Sequence, residues 1–580
     1  MKQKKLLLGL LLLLLLPALE SCRQIDPTLP PEVTFDAAEY TVKTDRLLRI
    51  TPTIKNDKEF AAYSWISDGK VIGREKELAF SAKSTGTYYV TFQVTTADGS
   101  ARREVKINVV DLDLPIISIN GGNDLIIETG EHLKLVPKIK NQEGLAVQWL
   151  DGDKVVSKDL EYSYSKDKEG VYFLTLEATN ADGVDRYDLR ITVVKSIPLD
   201  LSFSYQTQPA TVGRPMRVIP YLPSKRNVTF KWFVNGVEDK TQTKDYYPMT
   251  ATSTGQTELK VIATKSTNSS TEDNDGTRAE TEGEHVAEAT IIIQGVEANK
   301  YLRPTTATSS AYASQVFEFL AAPGQFTNAG YTANTMADAC NYAKSRLDRG
   351  DYVSLGGFGG YLVVGFDHSI KNNTRGKGYD FAVEGNAFAG SSEPGIVWVM
   401  QDENGNGIPD DNWYELKGSE YGKPGTIQDY EVTYYRPSTK QSDVKWTDNR
   451  GNQGTVDWNS FHTQEYYPLW VRPDSYTLRG TRLNFVPINN GGMWKNPEFE
   501  WGYADNFSPI DMLTEADSPY ADRGVNHFRL EDAIDYTGKP VQLDYIDFVK
   551  IQTGANAKAG WLGENSTEVL RVIDIQIPKN

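Results

Sequence analysis

Cysteine and histidine are scarce in this sequence, and each scarcity removes a class of function. Cys22 and Cys340 are the only cysteines among 580 residues. No disulfide framework, zinc knuckle or CxxC redox motif can be built from them. The five histidines, His132, His285, His368, His462 and His527, stand without metal-ligand spacing. A GxSxG elbow, an HExxH pair and a phosphate-binding glycine loop are all missing. Carboxylates are plentiful, but no pair stands out as a glycosidase would need. No catalytic residue is therefore assigned. Positive charge is in deficit, with 61 Lys and Arg against 78 Asp and Glu and a net charge of −17. That balance argues against nucleic acid and anionic membrane surfaces as partners. Beyond the N-terminus, no run is long and apolar enough to span a bilayer.

What is present begins with a leader. Lys2, Lys4 and Lys5 precede a leucine run, Leu6 to Leu16, and then Leu19-Glu-Ser-Cys22. The run is too short for a membrane span and has signal-peptide flanks. The Leu-x-Ser-Cys ending resembles a bacterial lipobox, although Glu20 is atypical. The resemblance implies a signal peptide over 1–21 and a lipidated Cys22, hence an outer-membrane lipoprotein at the cell surface. Residues 22–31, rich in Pro, read as a stiff tether. Cys340 then has no partner and is expected to be buried and inert.

The first half repeats. Trp65, Trp149 and Trp232 recur 84 and 83 residues apart, each followed by a turn: Asp68-Gly69, Asp151-Gly152 and Asn235-Gly236. Alternating strands such as Tyr88-Tyr-Val-Thr-Phe-Gln-Val94 follow. A Trp on a central strand suits the core of a small sandwich, and the period suits tandem domains. The units resemble PKD-like, immunoglobulin-type domains. They are placed at 32–111, 112–196 and 197–298, and are read as a stalk. A polar insertion, Thr264 to Glu284, is expected to be a mobile loop. Residues 299–580 change texture, with dense aromatics and glycines, and read as one larger sandwich, jelly-roll-like, with one helix near 334–347. The fold class is all-β.

Within that last domain, VMQDENGNGIPDDNWYEL (399–416) places a knot of oxygens at a hairpin tip. Asp402, Asn404 and Asn406 occupy alternate positions, Gly407 supplies the sharp turn, and the Ile408 carbonyl and Asp410 follow, in the manner of a calcium loop. Trp413 stands where a bidentate Glu would close an EF-hand, so Asp411 or a distant carboxylate must complete the shell. The cofactor expected is structural calcium. A metal-free Asn-Gly hairpin is the alternative. Aromatics among Gly, Asn and Pro supply candidate ligand-stacking faces: Trp446, Trp458, Tyr467, Trp470, Trp494 and Trp501.

The segments Ser354 to Asp367, Tyr379 to Phe388, Ser392-Glu-Pro-Gly395 and Asn412-Trp-Tyr-Glu-Leu416 resemble galactose-binding-like, discoidin-type jelly rolls. Ala322-Pro-Gly-Gln-Phe326, Asp544 to Gly554 and Trp561-Leu-Gly-Glu564 resemble the C-terminal part of Bacteroidetes cell-surface lipoproteins that accompany outer-membrane vitamin B12 receptors. The resemblance implies capture of a corrinoid or a glycan for a TonB-dependent transporter, without catalysis. A scaffold or adhesion protein docking on a transporter or host surface is the second reading, and a glycoside hydrolase the third. A Cys22→Ala variant is expected to leave the membrane fraction, which fractionation and immunoblotting check. Retention in the outer membrane would discard the lipid anchor.

Overall fold

Each repeat is organised by its tryptophan. Trp65, Trp149 and Trp232 are fully buried. Each indole N–H donates to the backbone carbonyl of the segment that follows its turn: Glu75 at 3.0 Å, Asp159 at 3.1 Å and Lys244 at 2.8 Å. A buried donor is thus satisfied within its own repeat, as an indole in a core requires. Removing such a side chain costs about 3–5 kcal/mol in a packed core. The turns take the twist a hairpin needs, with Asp68, Gly69, Asn235 and Gly236 all at positive φ.

The computed structural model describes residues 29–119, 122–272, 278–372 and 378–579, with backbone alone for 267–272 and 278–283. Cys22 and its leader lie outside the described residues. The chain divides into two compact units. One runs to Ile117 and includes Ile139–Val147 and Glu177–Arg186; the other comprises Ser118–Lys138, Gln148–Leu176 and Tyr187–Asn580. In the first repeat, Glu39–Lys43 lies parallel to Gly99–Val110, which continues antiparallel through Gly86–Thr96, Ala62–Ser67 and Lys70–Gly73. The second repeats that order with Asp124–Glu128, Val184–Val194, Gly170–Thr179, Ala146–Asp151 and Lys154–Ser157. The third does so with Thr207–Thr211, Arg278–Val296, Gln256–Glu272, Val228–Val234 and Val237–Asp239. One topology, with its one parallel pair, therefore occurs three times in tandem.

The polar insertion of the third repeat departs from expectation. Its backbone continues the hairpin ladder from Lys265 opposite His285 to Glu272 opposite Arg278. Thr and Ser are frequent there, and threonine's branched side chain suits an extended, solvated hairpin as well as a loop.

The last domain stacks two sheets. Six antiparallel strands run in the order Gln315–Leu320, Tyr361–Lys371, Tyr545–Thr553, Gly395–Met400, Tyr414–Leu416, Ala533–Ile534. Opposite lie Gln453–Val456, Val444–Asp448, Ile427–Tyr435 and Ser475–Arg482. Leu362, Val364, Val397, Ile546 and Val549 from the first meet Val432, Tyr434, Tyr476 and Leu478 from the second in one core. The helix Met336–Arg349 forms where its ends are capped. Thr335 and Asp338 make a reciprocal capping box, and Gly350 closes it at φ 66°. Its buried stripe is Ala339, Cys340, Ala343 and Leu347. Cys340 is a free, buried thiol, and burial pushes its pKa up to about 11, which keeps it protonated and unreactive.

A buried histidine of this domain is flanked by two carboxylates. His368, fully buried, contacts Asp367 Oδ1 through Nδ1 at 2.6 Å and Asp574 Oδ2 through Nε2 at 2.8 Å. Burial alone would lower the imidazole's pKa, but the two carboxylates outweigh it and raise it. The imidazolium therefore contributes stability that is fully present below the unfolded histidine pKa of about 6.5 and is lost as pH rises through the folded value. Asp574→Asn is expected to shrink the difference in Tm between about pH 6 and pH 8 relative to the wild type. Thermal melts at both values check this. An unchanged difference would mean that the histidine is neutral throughout.

Candidate functional site

A cleft of about 390 Å³ lies where the third repeat meets the last domain. Its floor is the six-stranded sheet, which contributes Glu318, Trp398, Glu415 and Lys550. The third repeat supplies Tyr205, Arg217 and Tyr221. The cleft opens past Ile219 and Tyr221, which are 40% and 39% exposed. Its far wall is Pro409 to Trp413, the descending limb of the Asp/Asn hairpin.

Charge holds the two sides of the cleft together. Lys225 of the third repeat reaches Asp245 of the same repeat at 2.5 Å and Glu431 of the last domain at 2.6 Å. Arg479 pairs with the same two carboxylates from the other side. Burial would raise the Asp245 carboxyl, but Lys225 and Arg479 outweigh it and hold its pKa low. Arg217 pairs with Asp429, and its guanidinium lies over the rings of Tyr246 and Tyr536 at 5.3 and 5.2 Å. Arg214 donates to Gln401 and Glu403, both at 2.7 Å.

Lys550 is different. Its ammonium sits 4.8 Å from the Trp398 ring centre and 4.9 Å from that of Trp413, and among the described residues it makes no ion pair or hydrogen bond. Burial pushes its pKa down to about 8, against the pull of Glu318 and Glu415. Glu415 accepts from Thr481 Oγ1 at 2.6 Å and is pushed up to about 7 by burial. The Trp398 indole N–H is buried without a partner. The cleft thus offers two indole rings and a cation close to both. Such a set can stack on a sugar or other flat face and bond a polar group beside it.

The hairpin itself is a nest of carboxylates and amides. Asp402 accepts from the backbone N–H of Gly405, Asn406 and Gly407 at 2.7, 3.1 and 2.8 Å. Asn404 and Asn406 each accept from the N–H two residues on, and both side-chain amides donate to Asp410. The Ile408 carbonyl accepts from Asp410 N at 2.9 Å. Asp411 stands apart: it is 3% exposed, and both its carboxylate oxygens are buried with no hydrogen-bond partner. Burial, aided by Glu403, Asp410 and Asp402, pushes it up to about 10. The sequence thus brings Asp402, Asn404, Asn406, Ile408, Asp410 and Asp411 into one loop. An orphaned, buried carboxylate among hard oxygens fits a hard divalent cation. Asp402, however, is committed to backbone amides.

The six aromatics singled out from sequence scatter, and none lines the cleft. Tyr467 and Trp470 belong to the hydrophobic core, and the Trp470 indole donates to Phe319 O at 3.0 Å. They cannot stack on a ligand, because the loop that carries them folds inward over the sandwich. Trp458 packs against the same core. Trp446 lines a separate cavity of about 340 Å³ with Tyr434, Asp457, Asn556 and Glu564. Trp494 lies on the hairpin pairing Ile488–Asn490 with Met493–Lys495, and Trp501 lines a small cavity with Tyr379, His527 and Arg529. What sequence reading passed over was Lys550. A lone lysine between Val549 and Ile551 in an apolar strand was the available signal.

Comparison with known proteins agrees with the repeat architecture. Residues 30–96 and 115–180 each match the PKD-like domain family. No curated protein matches the chain. Among solved structures, it is similar to three N-terminal domains of the highly immunogenic outer capsid protein of bacteriophage RB49, at 12% identity over 47% of this chain and 99% of that one, TM-score 0.24. It is likewise similar to the titin I-band fragment I67–I69, at 12% identity over 46% and 98%, TM-score 0.20. Clostridium thermocellum CbhA fibronectin(III)-like modules match at 18% identity over 28% and 94%, TM-score 0.17.

Removing Glu431 leaves Lys225 and Arg479 sharing one carboxylate in a half-buried site. Glu431→Ala is expected to destabilise the protein by on the order of 3 kcal/mol. Denaturant titration checks this; a loss within a few tenths of a kcal/mol would mean that solvent, not the network, satisfies these charges.

Proposed function

We propose that this protein is a non-catalytic lipoprotein of the bacterial outer membrane, anchored through Cys22, which captures a glycan or a corrinoid at the cell surface for a TonB-dependent transporter. The observation that carries the reading is the cleft with Trp398 and Trp413 flanking an unpaired Lys550. Its volume suits a sugar-sized group, whereas a corrinoid would enter with only part of its surface. Arg217, Lys225 and Arg479 are already in ion pairs, which leaves Lys550 as the lining cation without one among the described residues. The ligand is therefore neutral or carries a single acidic group facing Lys550, and binding depends weakly on salt. The first two repeats serve as spacer. The third adds a wall to the cleft, so the stalk role is shared unequally.

Calcium in the loop from Asp402 to Asp411 is the structural part of the proposal. Asp411 would supply a carboxylate that has no other partner, and the cation would hold the cleft wall from Pro409 to Trp413. Metal that binds only the folded form stabilises it by mass action, by about 2.7 kcal/mol at a hundredfold excess over Kd. Calcium is expected to raise the Tm of the chelator-treated chain, and Asp402→Ala to diminish that rise. Equal rises in both proteins would leave a polar hairpin and no metal at this loop.

Titration of the mature chain with a glycan panel and with cobamides tests the capture reading. Trp413→Ala and Lys550→Met are expected to weaken whichever ligand binds by tenfold or more, in line with roughly 2 kcal/mol at a binding hot spot. Trp446→Ala is expected to leave it unchanged. The reverse pattern would move the site to the Trp446 cavity. Absence of any binding would return the protein to the scaffold or adhesion reading that tandem PKD-like domains also suit.

A further inference from the structure

Three carboxylates from separate segments, none of them in the Asp/Asn hairpin, meet in the last domain. Among the described residues, Glu393, Asp505 and Glu568 form a trio whose ligand oxygens all lie within 4.8 Å of one another. Asp505 and Glu568 are buried, at 0% and 3% exposure. No Lys, Arg or His pairs with any of the three among the described residues. Three acids gathered together, two of them away from water, carry a heavy desolvation and repulsion cost without a cation.

The surroundings hold the trio in place without neutralising it. Asp505 accepts from Asn386 N at 2.8 Å and from Glu568 N at 2.9 Å. It adopts φ 52°, a left-handed conformation uncommon for a residue with a side chain. Gly385 backs onto it so closely that a Cβ there would lie 2.6 Å from Asp505 Oδ1. Glu393 accepts from Ser566 N and Asn565 Nδ2, both at 3.3 Å. These segments are also pinned by backbone, since Glu393 N donates to Asp505 O at 2.9 Å.

Two buried oxygens at this place have no partner. One is Glu568 Oε2, within the trio itself. The other is Asn565 Oδ1, on an amide that is 1% exposed and already touches Glu393. An amide flip exchanges oxygen for nitrogen without other movement, and brings that oxygen toward Glu393. A buried carboxylate oxygen left without a partner beside two further carboxylates, with no cationic side chain to balance them, is what a hard cation would satisfy.

We infer that Glu393, Asp505 and Glu568, with the amide oxygen of Asn565, bind a divalent cation of the calcium class at a site separate from the 402–411 loop. Carboxylates arriving from three irregular segments suit calcium, which tolerates varied geometry, better than magnesium, which demands a near-ideal octahedron. The cation ties the start of Gly395–Met400, the loop around Asp505 and the short strand Glu568–Val569 to one point.

The test counts calcium on the mature chain after chelation, reloading and dialysis, by elemental analysis alongside calorimetric titration. Relative to wild type, the Glu393→Gln/Glu568→Gln double variant keeps side-chain shape and is expected to lose one equivalent. Asp402→Ala reports separately on the hairpin loop. If that variant loses nothing while the double variant loses one, the hairpin metal fails and this site stands. A folded double variant that binds as much calcium as wild type overturns the inference. Displacement of the bound calcium by tenfold magnesium would overturn the assigned ion class. Should the double variant not fold, crystals of the wild type soaked in terbium decide the matter. Anomalous density among the three carboxylates supports the site, and its absence at saturating terbium overturns it.

Discussion

Two cations and two anions hold the cleft open for business between the third repeat and the last domain: Lys225 and Arg479 against Asp245 and Glu431. Each charge has two opposite neighbours, so none is left uncompensated when water is excluded. The alternation makes the pairing directional. Asp245 lies in the third repeat and Glu431 in the four-stranded sheet, and each is bound by one cation from its own side and one from across. An apolar patch would also join two domains, but it would allow them to slide. A ring of alternating charges fixes a register. The position of Tyr205, Arg217 and Tyr221 opposite Trp398 and Lys550 depends on that register.

The same domain leaves other acids with oxygens that find no partner among the described residues. Asp411, Glu564 and Glu568 each keep a buried oxygen without a partner. In a chain whose described cysteine is a free thiol, long loops cannot be stapled by disulfides. Loops rich in carboxylates can be stapled by cations instead, because the metal recovers the desolvation cost of the acids it binds. The unsatisfied oxygens and the long connections of this domain are, on that reading, two sides of one construction. The first repeat needs no such device. Its loops are short, and its core closes around Trp65 and Phe92, 4.7 Å apart between ring centres.

The parts of this architecture that were legible in the sequence are those set by local pattern. The tryptophan spacing, the Asp-Gly and Asn-Gly turns and the alternating strands all depend on neighbours a few residues away, so they survive reading without a structure. The helix was legible for the same reason, through the helical spacing of its small apolar stripe, whereas its capping pair, Thr335 and Asp338, emerged only from the structure. The cleft was not. Trp398 sits in Gly395-Ile-Val-Trp-Val-Met400, which reads as an ordinary core strand, and only the packing of the third repeat turns its outer face into a wall. Conversely, Tyr467 and Trp470 stand beside Pro468 and look loop-borne, yet the loop folds over the sandwich and buries them. Glycine and proline mark where a chain turns; they do not say on which side of the turn the solvent lies. The trio of Glu393, Asp505 and Glu568 spans 175 residues of sequence, and no short-range pattern connects its members.

The hairpin and the cleft share residues, and this has a thermodynamic consequence. Asp410 and Asp411 belong to the loop and also line the cavity. A cation bound by the loop would convert Asp411 from a buried, protonated group into a charged ligand, and so alter the field that Lys550 and any bound ligand experience. Coupling of this kind is reciprocal: whatever factor calcium changes ligand affinity by, the ligand must change calcium affinity by the same factor. The sign follows from the charges. A neutral ligand stacked on Trp398 and Trp413 gains from a wall held in one position and is affected little by the added charge, so the two bindings favour each other. An acidic group on the ligand would compete with Glu415 and Glu318 for Lys550, and would gain further from the nearby positive ion. In both cases the loop would act on the cleft through Pro409 to Trp413, because Asp410 and Asp411 belong to the hairpin and to the cavity wall alike.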